Sequence, residues 1–167
     1  MDFTEIVKAR RSIRKYQDKA VDDGLLSEIL EAGRLAPTAT NGQNWYCLVV
    51  RNRALCQAMV EVCGGQGLVG EAPVNLVVCG INNRSMFCGQ PINTVDCSIV
   101  TTMMMLKATE LGLGTCWLGH FSADGIRALL DIPAKDEVVA VLPLGYGAEA
   151  PEARPRKALS AFFSFRD

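Results

Sequence analysis

The fold turns on the stretch DCSIVTTMMMLKATELGLGTCWLG, residues 96–119. Asp96 is placed to cap a helix that runs to about Leu111, where glycine stops it. Ile99, Val100, Met103, Met104, Met105 and Leu106 leave this helix without a broad polar face, so it must be buried on most sides. Gly112–Gly119 then holds a short strand framed by glycines. The sequence on either side alternates helix and strand patterns, which predicts a layered domain with helices covering a central sheet.

Upstream, residues 2–10 read as a helix. Asp2 caps it, Glu5 completes an acidic capping box, and Phe3, Ile6 and Val7 share a face. A second helix begins at Asp22–Asp23, carries Leu25, Leu26, Ile29 and Leu30 as its apolar stripe, and stops between Gly33 and Pro37. Trp45–Arg51 and Pro73–Ile81 read as buried strands, with a helix over 53–63 between them. Residues 82–94 are irregular. Downstream, Ser122 caps a helix to about Leu130, and Val138–Leu144 is the last strong strand. The chain then becomes a basic, proline-bearing tail ending in AFFSF, residues 161–165.

At 167 residues, the chain has the length of one domain and can bury about 70% of its unfolded surface. It is 49% hydrophobic and 21% charged, with a net charge of -1, so bulk charge does not indicate a nucleic-acid or membrane-surface binder. Seven cysteines, an odd number with no C-x-x-C pair, argue against a disulfide framework and against a zinc or iron–sulfur site. Cys47 and Cys79 lie in apolar runs and read as buried free thiols; Cys88, in a polar loop, is the candidate for a redox-active one. The N-terminus has neither a basic region nor an apolar core, and no apolar run approaches the ~20 residues of a membrane span, so a soluble cytoplasmic protein is expected. The Met-rich helix and the aromatic tail carry more apolar surface than one small domain covers, which points to a homodimer with an exchanged C-terminal arm; the alternative is a central core helix and a locally docked tail.

Three constellations carry chemistry. Arg10-Arg11-Ser12-Ile13-Arg14 offers three guanidiniums and a hydroxyl suited to a phosphate; it also reads as a basic turn complementing a helix C-terminus. Arg154-Pro155-Arg156-Lys157 is a second basic cluster, far away in sequence, and one phosphate bridged by both would explain two concentrations of positive charge. Its bland alternative is tail solubility. Pro37–Trp45 (PTATNGQNW) presents hydroxyls and two-faced amides that can read a heterocyclic edge, or else satisfy the turn's own backbone. No G-x-G-x-x-G follows the first strand, there is no P-loop or G-x-S-x-G elbow, and His120, the one histidine, has no second metal ligand near it. Trp45 and Trp117 read as core residues.

In this order, RRSIRKY (10–16), APTATNGQNW (36–45), ELGLGTCWLGHF (110–121) and LGYGAEAPEARPRK (144–157) resemble the nitroreductase family of FMN-dependent oxidoreductases, of which the chain looks like a short member. The resemblance implies one nitroreductase-like FMN-binding domain over 1–167. It implies an α+β sandwich with a central mixed sheet flanked by helices, dimeric with an extended C-terminal arm, and FMN sites at the subunit interface. On that resemblance Arg10, Arg11 and Ser12 hold the flavin phosphate and ribityl chain with Arg156 and Arg154, and Arg14 faces the pyrimidine side of the ring. Pro37, Thr38, Ala39, Asn41 and Gln43 come from the other subunit. Leu118 and Gly119 present backbone N–H groups, and Gln66 is a ring contact. Family members usually carry a small hydroxyl residue where Ala39 stands and proline where Asn44 stands.

The resemblance further implies NADH or NADPH as electron donor and a nitroaromatic or quinone as acceptor, with no side-chain nucleophile and no metal. The alternatives are a flavin-binding regulatory module without turnover, and a flavin-dependent dehalogenase or flavin-cleaving relative.

Overall fold

The structure is a computed structural model that describes residues 1–82 and 84–166. In chain order the elements are α1 (Phe3–Ala9), α2 (Asp23–Arg34), a 3-10 turn (Ala39–Asn41), β1 (Trp45–Val50), α3 (Arg53–Val62) and α4 (Leu68–Glu71). There follow β2 (Val74–Gly80), α5 (Ile92–Glu110), β3 (Gly114–Thr115), α6 (Ala123–Leu129), β4 (Glu137–Gly145) and a second 3-10 turn (Leu159–Ala161).

Local chemistry explains most boundaries. The Asp2 and Glu5 side chains exchange bonds with each other's main-chain N–H, both at 2.9 Å, forming the expected capping box on α1. Asp22, Asn52 and Ser122 accept from the first turns of α2, α3 and α6. The long helix departs from expectation. It starts at Ile92, directly after Pro91, which stands in the extended cap position at φ -64° and ψ 125° with no side-chain cap. Asp96 is therefore no cap: it lies in the second turn and is buried.

The sheet has strand order β1-β2-β4-β3, and every ladder is antiparallel. The parallel component of the expected mixed sheet shrinks to one isolated bridge, Ser12 to Thr115. β2 is buried along its whole length and divides the core by alternation. Val74, Leu76 and Val78 face α2 and α5, against Ile29, Val100 and Met104. Val77 and Cys79 face α3, α4 and α6, against Met59, Val69 and Ile126.

α5 is buried on one stripe (Asn93, Asp96, Cys97, Val100, Thr101, Met104, Ala108) rather than all round. Ile99 and Leu106 stay half-buried and Met103 is exposed. The tail does not dock locally: Leu159, Phe162, Phe163 and Phe165 are 75%, 62%, 63% and 88% exposed. Five cysteines are buried, Cys47 is half-buried and Cys88 is exposed, all as free thiols. No helix among the described residues is long and apolar enough to cross a membrane.

Candidate functional site

The segment Arg10–Gln17 is extended and held from two sides. The Ile13 N–H donates to Thr115 O of β3 at 2.9 Å, and the Ile13 side chain is buried against Gly114. A Cβ on Gly114 would lie 2.6 Å from Ile13 Cγ1, so only glycine lets the segment approach β3 this closely. Tyr16, buried, donates its hydroxyl to Ile13 O at 2.9 Å and to Pro143 O at 3.2 Å. Burial pushes this phenol far above its ordinary pKa, so it stays a neutral donor.

On the other side the chain after β4 returns antiparallel to this segment. Gln17 N–H donates to Tyr146 O, Ala148 N–H to Lys15 O, and Arg14 N–H to the Glu149 carboxylate at 2.5 Å. Arg11 Nε then donates to Pro151 O at 3.2 Å. These ties deliver residues 152–156 beside residues 7–14. The two basic clusters, about 140 positions apart in sequence, meet in one cleft of about 560 Å³. Its lining includes Arg10, Arg11, Ser12, Arg14, Arg154 and Arg156, with Lys8 a further cation and Glu152 its one acid.

The arginines are not equivalent. Arg11 gives Nη1 to Lys8 O and Arg10 O and Nε to Pro151 O, so much of it caps α1 and anchors the tail; Nη2 is left over. Arg14 Nη1 donates to Ser12 O, and Arg156 Nη1 to Arg154 O. Arg10 and Arg154 make no side-chain hydrogen bond or ion pair among the described residues. Beneath the cleft, burial raises the Cys116 thiol pKa, while Arg14, the Ser12 hydroxyl and Arg10 pull it down and Glu149 adds to the rise.

The second constellation forms a separate turn. Thr40, Asn41 and Gln43 sit at φ of 52°, 54° and 52°, a left-handed region that costs a non-glycine residue about 1–2 kcal/mol. Thr38 accepts twice, O from Asn41 N–H and Oγ1 from Gln43 N–H, and Gln43 Nε2 donates to Asn41 O. The Asn41 side chain makes no bond among the described residues. From outside the turn, Asp96 Oδ1 accepts from Ala39 N–H at 2.9 Å. Pro37, Thr38, Ala39, Asn41 and Gln43 do not line the arginine cleft.

The third group is also distinct. Gln66 Nε2 donates to Cys63 O at 3.0 Å and to His120 O at 2.9 Å, fixing the peptide between His120 and Phe121. Leu118 corrects an expectation: its N–H donates to Val141 O at 2.9 Å, as a bridge to β4, and is not free for a ligand. Gly119 N–H makes no bond among the described residues, and nothing lies within 4 Å of where its Cβ would stand. His120 is exposed and covers Gly64, where a Cβ would lie 2.5 Å from Nε2. Trp45 and Trp117 pack at the core margin, as expected.

Sequence reasoning missed Asp96, Glu149 and Gly114 as supports of these groups. Glu149 was hidden because its partner is a main-chain N–H 135 residues away. Gly114 carried a legible signal, a glycine inside a strand, which marks close backbone approach. Among the described residues no cluster of His, Cys, Asp or Glu could hold a metal ion.

Comparison with known proteins ties the architecture to a family. The family model described as Nitroreductase family matches residues 7–92 and 63–146. A Methanothermobacter thermautotrophicus protein provisionally named NADH dehydrogenase/NAD(P)H nitroreductase is 39% identical over 158 residues, covering 92% of this chain and 82% of that one. The crystal structure of a nitroreductase family protein from Clostridium difficile 630 superposes with a TM-score of 0.88 at 33% identity, covering 100% and 99% of the two chains. An FMN-dependent nitroreductase from Clostridium difficile R20291 gives a TM-score of 0.83 at 28% identity, covering 99% of each chain. With the α+β sheet order, the arginine segment laid on β3 and matches of this extent, the chain belongs to the nitroreductase family.

Proposed function

We propose that the protein is an FMN-dependent oxidoreductase. It takes two electrons from NADH or NADPH and delivers them to a small oxidised acceptor such as a nitroaromatic or a quinone. The observation that carries this reading is the convergence of Arg10, Arg14, Arg154 and Arg156 on one cleft in a chain of net charge -1. Six cationic side chains against one carboxylate repel one another unless an anion joins them, and Arg10 and Arg154 have donors to spare.

The donor set fits FMN. Arg10, Arg154, Arg156 and the Ser12 hydroxyl hold the phosphate, with Arg11 contributing Nη2. Arg14 faces the pyrimidine side and offers positive charge where electron gain leaves negative charge. The Gly119 N–H is an unspent donor for the ring, with Leu118 tied to β4 just before it and Gln66 bonded to His120 O just after it. Pro37, Thr38, Ala39, Asn41 and Gln43 are contributed by the partner subunit of a homodimer. When bound, FMN would supply the two-electron redox chemistry between the nicotinamide donor and the acceptor, with the side chains named above binding and orienting it. No side chain needs to act as a nucleophile.

The homodimer is supported by apolar surface that a single chain leaves uncovered. The arm displays Leu159, Phe162, Phe163 and Phe165, α5 displays Met103, and β1 is a half-buried edge strand. We place the protein in the cytoplasm, where seven free thiols are stable.

The test is to load purified protein with FMN, add NADH or NADPH without oxygen, and follow the flavin absorbance. Bleaching that reverses on adding a quinone is expected. A chain that holds FMN and does not bleach would be a regulatory module, and one that stays colourless in excess FMN refutes the cofactor. Light scattering tests the dimer, and a monomer at micromolar concentration refutes it.

A further inference from the structure

We propose that Asp96 is a positioning residue: from the buried side of α5, its carboxylate holds the Thr38–Gln43 turn in its ligand-binding shape. Asp96 belongs to the stripe of α5 that packs on the sheet, where its neighbours Cys97, Val100 and Met104 are fully buried. It is itself only 2% exposed. A carboxylate there is expensive to desolvate, and the fold has no packing need for one.

The turn it touches has a matching need. Ala39 opens the 3-10 turn, and three of the four residues after it are left-handed without being glycine. The other bonds within residues 38–43 are local: Asn41 N–H to Thr38 O, Gly42 N–H to Ala39 O, Gln43 N–H to Thr38 Oγ1, Thr40 Oγ1 to Ala39 O and Gln43 Nε2 to Asn41 O. Local bonds move with the turn and cannot fix it in space. Among the described residues, the Ala39–Asp96 bond is the one hydrogen bond tying residues 38–43 to a distant element. It spans 57 positions and ends on the buried stripe of α5. Asp96 Oδ2 is buried and has no partner among the described residues, so the side chain is not held there by a second bond of its own. Its one visible task is the Ala39 N–H.

The consequence for function rests on the reading of this turn as flavin-facing. With Asp96 in place the strained residues are preset, and a ligand does not have to order them. Without it the turn relaxes and binding must supply the ordering.

The experiment has two readouts. The first is amide hydrogen exchange of the FMN-free protein, resolved at Ala39 and its neighbours. D96A is expected to speed exchange at Ala39 by roughly 10–100-fold, the worth of a hydrogen bond to a charged group, while D96N, which keeps an acceptor oxygen, restores most of the protection. Unchanged Ala39 exchange in D96A overturns the proposal. The second is FMN titration of D96A, D96N and C97A, the last a buried truncation next door with no bond to the turn. D96A is expected to bind FMN about tenfold more weakly, with D96N and C97A close to the parent protein. Equal weakening in C97A and D96A would mean that Asp96 acts only through stability, and overturns the proposal. Should D96A not fold, Ala39→Pro deletes the same bond from the donor side. Thr38 is extended, at φ -132° and ψ 157°, and accepts a following proline. A parent protein that binds no FMN refutes the cofactor reading, and the exchange result still decides whether Asp96 holds the turn.

Discussion

Gly114→Ala tests whether the arginine segment is held in register by its contact with β3. The new Cβ would sit 2.6 Å from Ile13 Cγ1, 2.8 Å from Ile13 Cβ and 3.0 Å from Ile13 Cγ2, where ordinary contact begins at 3.4 Å. Rotating χ1 of Ile13 moves the two Cγ atoms but not its Cβ, so the backbone of the segment has to retreat. The Ile13 N–H to Thr115 O bond, 2.9 Å long, lies on that path and lengthens. Overpacking of this kind costs about 1–3 kcal/mol. For a chain of this size each kcal/mol lowers Tm by about 2–4 °C. The displaced residues include Arg10, Ser12 and Arg14, so FMN affinity falls as well, by roughly tenfold for the loss of one charge-assisted bond. The assay is a double-mutant cycle with Ile13→Ala, read by urea unfolding and by FMN titration. Ile13→Ala removes both Cγ atoms and with them two of the three short contacts, so the pair should be more stable than the sum of the single losses by at least about 0.5 kcal/mol. Strict additivity, or a Gly114→Ala protein with undiminished FMN affinity, refutes the claim that this contact sets the cleft.

Arg156→Ala weakens FMN binding about 10–100-fold and leaves riboflavin binding unchanged, because the lost donors face the phosphate; flavin fluorescence quenching reads both. Arg14→Ala slows reduction by NADH, measured by stopped flow at saturating FMN, more than it weakens FMN binding, measured by titration, and equal losses would remove Arg14 from its place beside the ring. In the native protein iodoacetamide modifies Cys88 alone at a rapid rate, and all seven cysteines after unfolding, as mass spectrometry will count. Burial pushes the Cys63 and Cys79 thiols up to about 11 and the Cys47 and Cys97 thiols up to about 12, against 9.0 when exposed. Above pH 9 the unfolded chain therefore loses protons that the folded chain keeps. The stability these thiols contribute is full below pH 9 and is lost as pH rises towards 11–12, which urea midpoints across that range will follow.

Much of the fold was legible because its elements announce themselves locally. Asp2 with Glu5 and Ser122 are caps whose partners lie three residues away, and both work as read; Asp22, read as the start of α2, is its cap. β2 is apolar along its length except at Asn75, which is buried and donates to Val69 O, because both faces of the strand are covered. Where the reading failed, a distant contact outweighed a local signal. Asp96 has the right chemistry for a helix cap, yet Pro91 starts the helix earlier and Ala39 claims the carboxylate. The four-residue α4 was not expected from GQGLVGE, since its glycines suggest a turn. Gly70 is needed there because Val60 and Gln57 of α3 leave a Cβ no room. Strand direction was hidden for a similar reason: alternation of helix and strand suggests parallel crossovers, and nothing local reveals that β2 runs between two antiparallel neighbours.

The candidate site was legible in its chemistry more than in its assembly. Guanidinium groups at 10–14 and 154–156 declare affinity for an anion wherever they lie. That they share a cleft depends on residues 146–149 running back along residues 14–17, on Glu149 taking the Arg14 N–H, and on Arg11 gripping Pro151. Each of these has a main-chain group on at least one side, far away in sequence, which side-chain type does not reveal. The same blindness misjudged Leu118, whose amide looked free until β4 was found to use it. It also divided Arg11 between both of its readings, since one guanidinium caps a helix and faces the cleft. The cleft is lined only by residues 7–14 and 151–156, a surface suited to a phosphate and with no aromatic or amide to meet a flavin ring. Beyond Arg14, a ring bound there must be met by other elements, and the strained, partly unpaired turn at 38–43 and the open Gly119 amide have donors to give. Arm aromatics left 62–88% exposed supply the apolar surface for bringing a second copy, and with it a second such turn, against the first.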